Sequence, residues 1–219
     1  MRQPEFLSYG PFLGEKPQSI VVILHGYGAN ASDVLPLSYS WARYLPRTLF
    51  IAPHAPEVCE TSSQDGLQWF SLKNYDFKRI WSRIENLTSF FKNLLEPSLQ
   101  EHHLSMNQVA FVGFSQGASV ALTQTIYFLG IQAALAYAGI LVPSPDEMRV
   151  PFRKKLCLVH GDQDMIVPIA YLKEAQDFLK KKAIPFESWI CRDLDHGISA
   201  FGAEKGRLFL KNILYTEGV

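Results

Sequence analysis

The chain has 219 residues, of which 47% are hydrophobic and 19% charged, enough to build one large domain with a sizeable core. Lys plus Arg and Asp plus Glu both number 21, so the net charge is zero and no electrostatic footprint for nucleic acid or an anionic membrane exists. The start, MRQPEFLSYGPFLGEKPQ, breaks any apolar run with prolines and charges, and runs such as IVVIL are far too short to span a bilayer. A cytoplasmic protein with no stable membrane insertion is therefore expected. Cys59, Cys157 and Cys191 are odd in number and widely separated, which gives neither a disulfide framework nor a metal-ligand spacing, and they read as core residues. With no internal repeat, low-complexity tract or linker, residues 1–219 read as a single domain, and neither a monomer nor a homodimer is excluded.

SIVVILHG (19–26) is a β-branched run ending in glycine, the pattern of a strand buried on both faces. ANASDVLPLSYSWARYL (29–45) has helical spacing with Pro36 near its start, and TLFIAPHAP (48–56) is a strand stopped by proline. FKRIWSRIENLTSFFKNLLEPSLQ (77–100) carries a helical stripe at Ile80, Ile84, Leu87, Phe91, Leu94 and Leu95. QVAFVGF (108–114) reads as a strand handing over to a helix from Ser115 to about Leu129. IQAALAYAG (131–139) and KLCLVHG (155–161) are further strands, followed by an amphipathic helix over 168–183, a last strand FESWICR (186–192) and a closing helix over 200–215. Gly202 and Gly206 weaken that last helix on propensity grounds. Alternation of this kind predicts a mostly parallel α/β sheet with helices on both faces.

In such sheets, ligands bind beyond the carboxyl ends of the strands. HGYGAN, GFSQGA, HGDQDMIVP and RDLDHGIS each follow a predicted strand, so all of them fall on one edge. In GFSQG, Ser115 stands between Gly113 and Gly117 at a strand-to-helix turn, the setting of a nucleophile elbow, although the same letters also suit an ordinary turn. A serine hydroxyl needs a base. His196, on the loop after the last strand, is favoured; His25 and His160 sit at strand ends and suit loop-shaping, His54 lies among prolines, and His102 and His103 follow a helix on a polar stretch. The carboxylate that orients the base comes from Asp162, Asp164, Asp193 or Asp195, and Asp164 has the best reach, with Asp162 bracing its turn. The order Ser115, Asp164, His196 is the order expected on this sheet. The glycine-rich loop offers the N–H of Tyr27 to an oxyanion, paired with the N–H of Gln116. A phosphate-binding reading fails, because neither G-x-G-x-x-G nor a P-loop Lys is present.

Taken together, LHGYGAN, GFSQGA, HGDQDMIVP, LDHGIS and the loop DGLQWFSL resemble the carboxylesterase/phospholipase family of small α/β-hydrolases, which includes acyl-protein thioesterases. The likeness spans about residues 20 to 200, and QWFSL is closer to bacterial members. It implies the α/β-hydrolase fold and an ester or thioester hydrolase, with Ser115 as nucleophile, Asp164 as acid, His196 as base, and Tyr27 and Gln116 as oxyanion donors. Such chemistry requires no metal or organic cofactor, and the partner is a small acyl ester, thioester or lysophospholipid substrate.

ILVPSPDEMRVPFRK (140–154) is too short for a large cap domain, so an accessible groove is expected, its acyl side lined by Trp69, Phe70 and Leu72. The alternative for these aromatics is an ordinary core role. A non-catalytic ligand-binding module on the same fold and an enzyme of related fold, such as a dienelactone hydrolase, are the rival readings. The second of these ordinarily uses a cysteine where Ser115 stands.

Overall fold

The structure is a computed structural model and describes residues 4–61, 65–73, 76–145 and 154–215. In chain order its strands are β1 (Phe6–Tyr9), β2 (Ser19–Leu24), β3 (Thr48–Pro53), β4 (Glu57–Val58), β5 (Leu67–Gln68), β6 (Val109–Phe114), β7 (Ala133–Tyr137), β8 (Lys155–Gly161) and β9 (Phe186–Cys191). The helices are α1 (Ala31–Val34), α2 (Pro36–Trp41), α3 (Phe77–His102), α4 (Gln116–Thr123), α5 (Ala170–Lys181) and α6 (Ala200–Leu214). The main sheet has seven strands in the order β1-β3-β2-β6-β7-β8-β9, and β4 pairs with β5 apart from it. Only the β1–β3 pairing of that sheet is antiparallel.

Every residue of β2 is buried, because both faces of the sheet are covered. Ile20, Val22 and Leu24 pack with the apolar stripe of α3, whereas Val21 and Ile23 pack with Trp41 of α2 and with Phe209, Leu210 and Ile213 of α6. A third cluster joins α4 and α5 over β7 and β8. This is the α/β-hydrolase architecture. The predicted interval before β8 lies for the most part, at 146–153, outside the described residues.

The expected elements differ from the observed ones in instructive places. Residues 29–45 form two short helices: Asn30 and Asp33 make a capping box at α1, and Pro36 takes the first turn of α2, where its missing N–H is harmless. The helix after Ser115 changes at Gln124–Phe128 into a π-helical turn. β1 is a four-residue, largely exposed edge strand, too short and too irregular in pattern to read as a strand beforehand. In α6, a Cβ on Gly206 would lie 2.0 Å from Tyr137 Oη, so the low-propensity glycine is what lets the helix lie against the sheet.

Candidate active site

β2 is followed on one side by β3 and on the other by β6, so the direction of winding reverses between β2 and β6. The crevice at their carboxyl ends is the place where open α/β sheets bind ligands. Ser115 occupies it, immediately after β6 and before α4, with φ 54° and ψ −116°. A non-glycine residue held there is strained, and the surrounding backbone enforces it. The Ser115 N–H donates to Tyr137 O at 2.9 Å, while a Cβ on Gly113 would lie 2.2 Å from Gly117 O. A Cβ on Gly117 would lie 2.4 Å from Leu24 O and 2.5 Å from His25 O. Glycine therefore flanks the serine because two backbones pass too close for any side chain.

The other two side chains arrive on the loops after β8 and β9. These loops are tied together by Asp162 N donating to Cys191 O and Gln163 N donating to Leu194 O, at 3.0 and 2.9 Å. His196 Nδ1 is 2.7 Å from Asp164 Oδ2, and His196 Nε2 is 2.9 Å from Ser115 Oγ. An ionised carboxylate can only accept, so Nδ1 carries the proton and Nε2 is left to accept from the serine hydroxyl. Asp164 Oδ1 accepts from the N–H groups of Ile166 and Val167 at 2.9 and 2.8 Å. Burial acts to raise the Asp164 pKa, but the hydrogen bond from His196 and those backbone donors outweigh it, and the carboxyl lies below its ordinary value. The Phe114 ring packs on the His196 imidazole with centroids 4.9 Å apart.

The alternative acids are not bonded to this imidazole. Asp193 and Asp195 are exposed, and Asp162 keeps a buried Oδ1 without a hydrogen-bond partner. His160 Nε2 donates to Val167 O at 2.7 Å, which shapes the Asp164 loop from beneath. His25 is fully buried: its Nδ1–H donates to Gly26 O at 2.8 Å and its Nε2 accepts from Ala55 N at 3.1 Å. Burial pushes its pKa down to about 4, so the ring is neutral. His103 is exposed at the end of α3, with His102 beside it half-buried.

Among the described residues no acceptor takes the backbone N–H of Tyr27 or of Gln116, and both residues line the cavity that contains Ser115 and His196. This cavity, of about 400 Å³, also has Phe70, Leu72, Ile80 and Ile140 on its walls. Trp69 is not among them. It is 1% exposed and sits in the core, with its ring against Phe90, Phe91 and His25. Its Nε1–H donates to His25 O at 2.8 Å, so this side chain braces the first loop from below instead of forming the pocket wall.

The sequence reading also missed the side chain of Gln116. Its Oε1 accepts from Trp69 N at 2.9 Å and its Nε2 donates to Phe70 O at 2.7 Å, clamping residues 69 and 70 to the serine turn. Gly28 N and Leu67 O, with Leu67 N and Ala29 O, complete the stitching at 2.9 Å each. A long polar residue beside the elbow serine, in an otherwise small and apolar run, was the available signal. Cys59, Cys157 and Cys191 are all buried, and burial pushes the Cys157 thiol well up.

Residues 13–214 match the profile of the phospholipase/carboxylesterase family. The chain belongs to that family. Esterase YpfH of Escherichia coli is 24% identical to it over 200 residues, covering 90% of this chain and 83% of that one. Acyl-protein thioesterase 1 of Kluyveromyces lactis is 26% identical over 186 residues, 75% of this chain and 77% of the other. The crystal structure of esterase PE8 superposes with a TM-score of 0.87 at 28% identity, covering 97% of this chain and 100% of that one. As a phospholipase/carboxylesterase, the chain is an enzyme of the esterase type on an α/β-hydrolase fold, with no large cap among the described residues. Among the described residues no helix is long and apolar enough to cross a membrane.

Proposed function

We propose that this phospholipase/carboxylesterase cleaves carboxylic esters through an acyl-enzyme on Ser115. The observation that carries the reading is the continuous hydrogen-bonded chain from Ser115 Oγ through both His196 nitrogens to Asp164. It stands at the foot of a cavity beside two uncommitted backbone N–H groups, those of Tyr27 and Gln116.

His196 takes the Ser115 proton as the hydroxyl attacks the acyl carbon. Asp164 keeps the imidazole in the right tautomer and stabilises the imidazolium. Negative charge develops on the carbonyl oxygen, and the Tyr27 and Gln116 N–H groups face it, with the positive end of α4 behind them. The alcohol leaves with the proton from His196. Water then enters, loses a proton to the same nitrogen and releases the acid, so that the serine is restored. Thioesters follow the same course with a thiol as leaving group, and the 26% identity to an acyl-protein thioesterase supports them as a second substrate class. Phe70 and Leu72 form the acyl wall in this scheme, and Trp69 supports the oxyanion loop.

A fluorophosphonate tests the proposal directly. Peptide mass spectrometry should find the phosphonyl adduct on Ser115, and His196→Ala should abolish it. Folded protein that stays unlabelled would refute an activated serine.

A further inference from the structure

A second cavity, of about 440 Å³, lies on the opposite face of the sheet from the acyl wall, between α1, α2 and the start of α6. Ile23 and Val112 of the sheet form its floor, and Val34, Leu37, Ile198 and Ala203 its sides. It shares Gly26, Ala29 and Phe114 with the cavity that holds Ser115, so the two meet at the ring packed on His196. Each volume is within the usual range for a small-molecule site.

We infer that this second cavity receives the alcohol portion of the ester, and that the enzyme acts on esters carrying an uncharged apolar group on each side of the carboxyl group. The inference rests on the serine-esterase reading above. Three observations support it. The leaving oxygen must take its proton from His196 Nε2, so its chain departs on the His196 side, and Ile198, Ser199 and Ala200, close after His196, wall this cavity. His196 itself lines the other cavity with the oxyanion donors Tyr27 and Gln116 and the apolar Phe70 and Leu72, so the reacting carboxyl group and the acyl chain lie there.

The third observation concerns polarity. The polar side chains on the walls are Asp33, Ser199 and Tyr137, and each is already engaged. Asp33 accepts from Asn30 N in the capping box of α1, Ser199 Oγ accepts from Gly202 N and donates to Cys191 Sγ, and Tyr137 Oη donates to Gly202 O. The Ser199 and Tyr137 hydroxyls have already given their hydrogens to Cys191 Sγ and Gly202 O, and the exposed Asp33 carboxylate at the rim opposes an anionic head group. What remains is apolar surface, which selects an alkyl or aryl alcohol.

The test uses the whole chain and two ester series followed by acid release: butyrates of methanol, butanol, hexanol and octanol, and methyl esters of acids of matching lengths. A buried methylene is worth roughly fourfold in binding, so kcat/KM should rise by at least about tenfold from methyl to hexyl butyrate. Ala203→Phe, which fills the second cavity, should collapse the hexyl-to-methyl ratio toward one while the acid-length profile keeps its shape. Ile140→Phe, on the acyl wall, should do the reverse. Val34→Ala enlarges the cavity and should move the alcohol optimum to longer chains, which carries the test if Ala203→Phe does not fold. A flat alcohol series, or Ala203→Phe shifting the acid profile instead, would overturn the assignment while Ser115-dependent hydrolysis stood. Hydrolysis that persists in Ser115→Ala, or is absent from the start, would overturn the esterase reading and this assignment with it.

Discussion

The two halves of the candidate site are held in place by different forces. On the β6–α4 side, Ser115 is positioned by exclusion: the backbone passes within contact of Gly113 and Gly117, leaving the strained residue between them nowhere else to go. On the β8 and β9 side, His196 stands on a partly exposed loop, positioned by hydrogen bonds to Asp164 and Ser115 and by the tilted ring of Phe114. Steric exclusion ties the serine to the fold, whereas a hydrogen bond leaves the histidine separable from it. Substitutions on the first side should therefore damage stability and turnover together, and those on the second should damage turnover alone.

The largest effect should come from the second side. Asp164→Asn still offers an oxygen to the Ile166 and Val167 N–H groups but no longer fixes the His196 tautomer, and kcat should fall by roughly 10⁴-fold. The urea midpoint of this variant should barely move; a collapse of the fold would place Asp164 with the steric half instead.

Acid should act next, and on the first side. The folded pKa of His25 is about 4 against an ordinary 6.5, so as pH falls through that interval the unfolded chain gains a proton that the folded one does not. Stability is thus complete above pH 6.5 and is lost on the way down to about 4, by an amount on the order of 3 kcal/mol. Asp164, held below its ordinary 3.8, also favours the folded state above that value and loses its contribution lower down, as its folded pKa is passed. Urea unfolding at pH 7 and 4.5 checks the first window, and equal midpoints would exclude it.

Gly117→Ala should cost about 2–3 kcal/mol and lower kcat as well, because its methyl group presses on Leu24 O and His25 O beneath the oxyanion loop. Smallest is Trp69→Phe. It keeps most of the ring but leaves His25 O without its donor, for about 1–2 kcal/mol in unfolding experiments and a modest loss in kcat. A change confined to acyl-length preference would return Trp69 to the pocket wall.

This contrast also governs what the sequence revealed. Strands buried on both faces, such as β2 and β6, announce themselves as unbroken apolar runs, and the loops at their ends carry residue types with a narrow range of chemical uses. The sheet, its order of helices and a common edge for Ser115, Asp164 and His196 could all be read from those signals. Trp69, expected on the acyl wall, lies in the core instead, since an aromatic beside a predicted site suits either place and only packing against Phe90 and Phe91 decides. The Gln116 clamp depends on residues 47 and 46 positions away, a separation that no local pattern encodes. β1 escaped notice because an edge strand has little burial to imprint on its sequence.

The π-helical turn at Gln124–Phe128 bears on how the chain tolerates change in length. Such a turn accommodates an additional residue within a helix. Because it begins only after α4 has run from Gln116 to Thr123, a one-residue insertion or deletion there is absorbed downstream of the serine. The nucleophile end of the helix keeps its register while only the far end shifts.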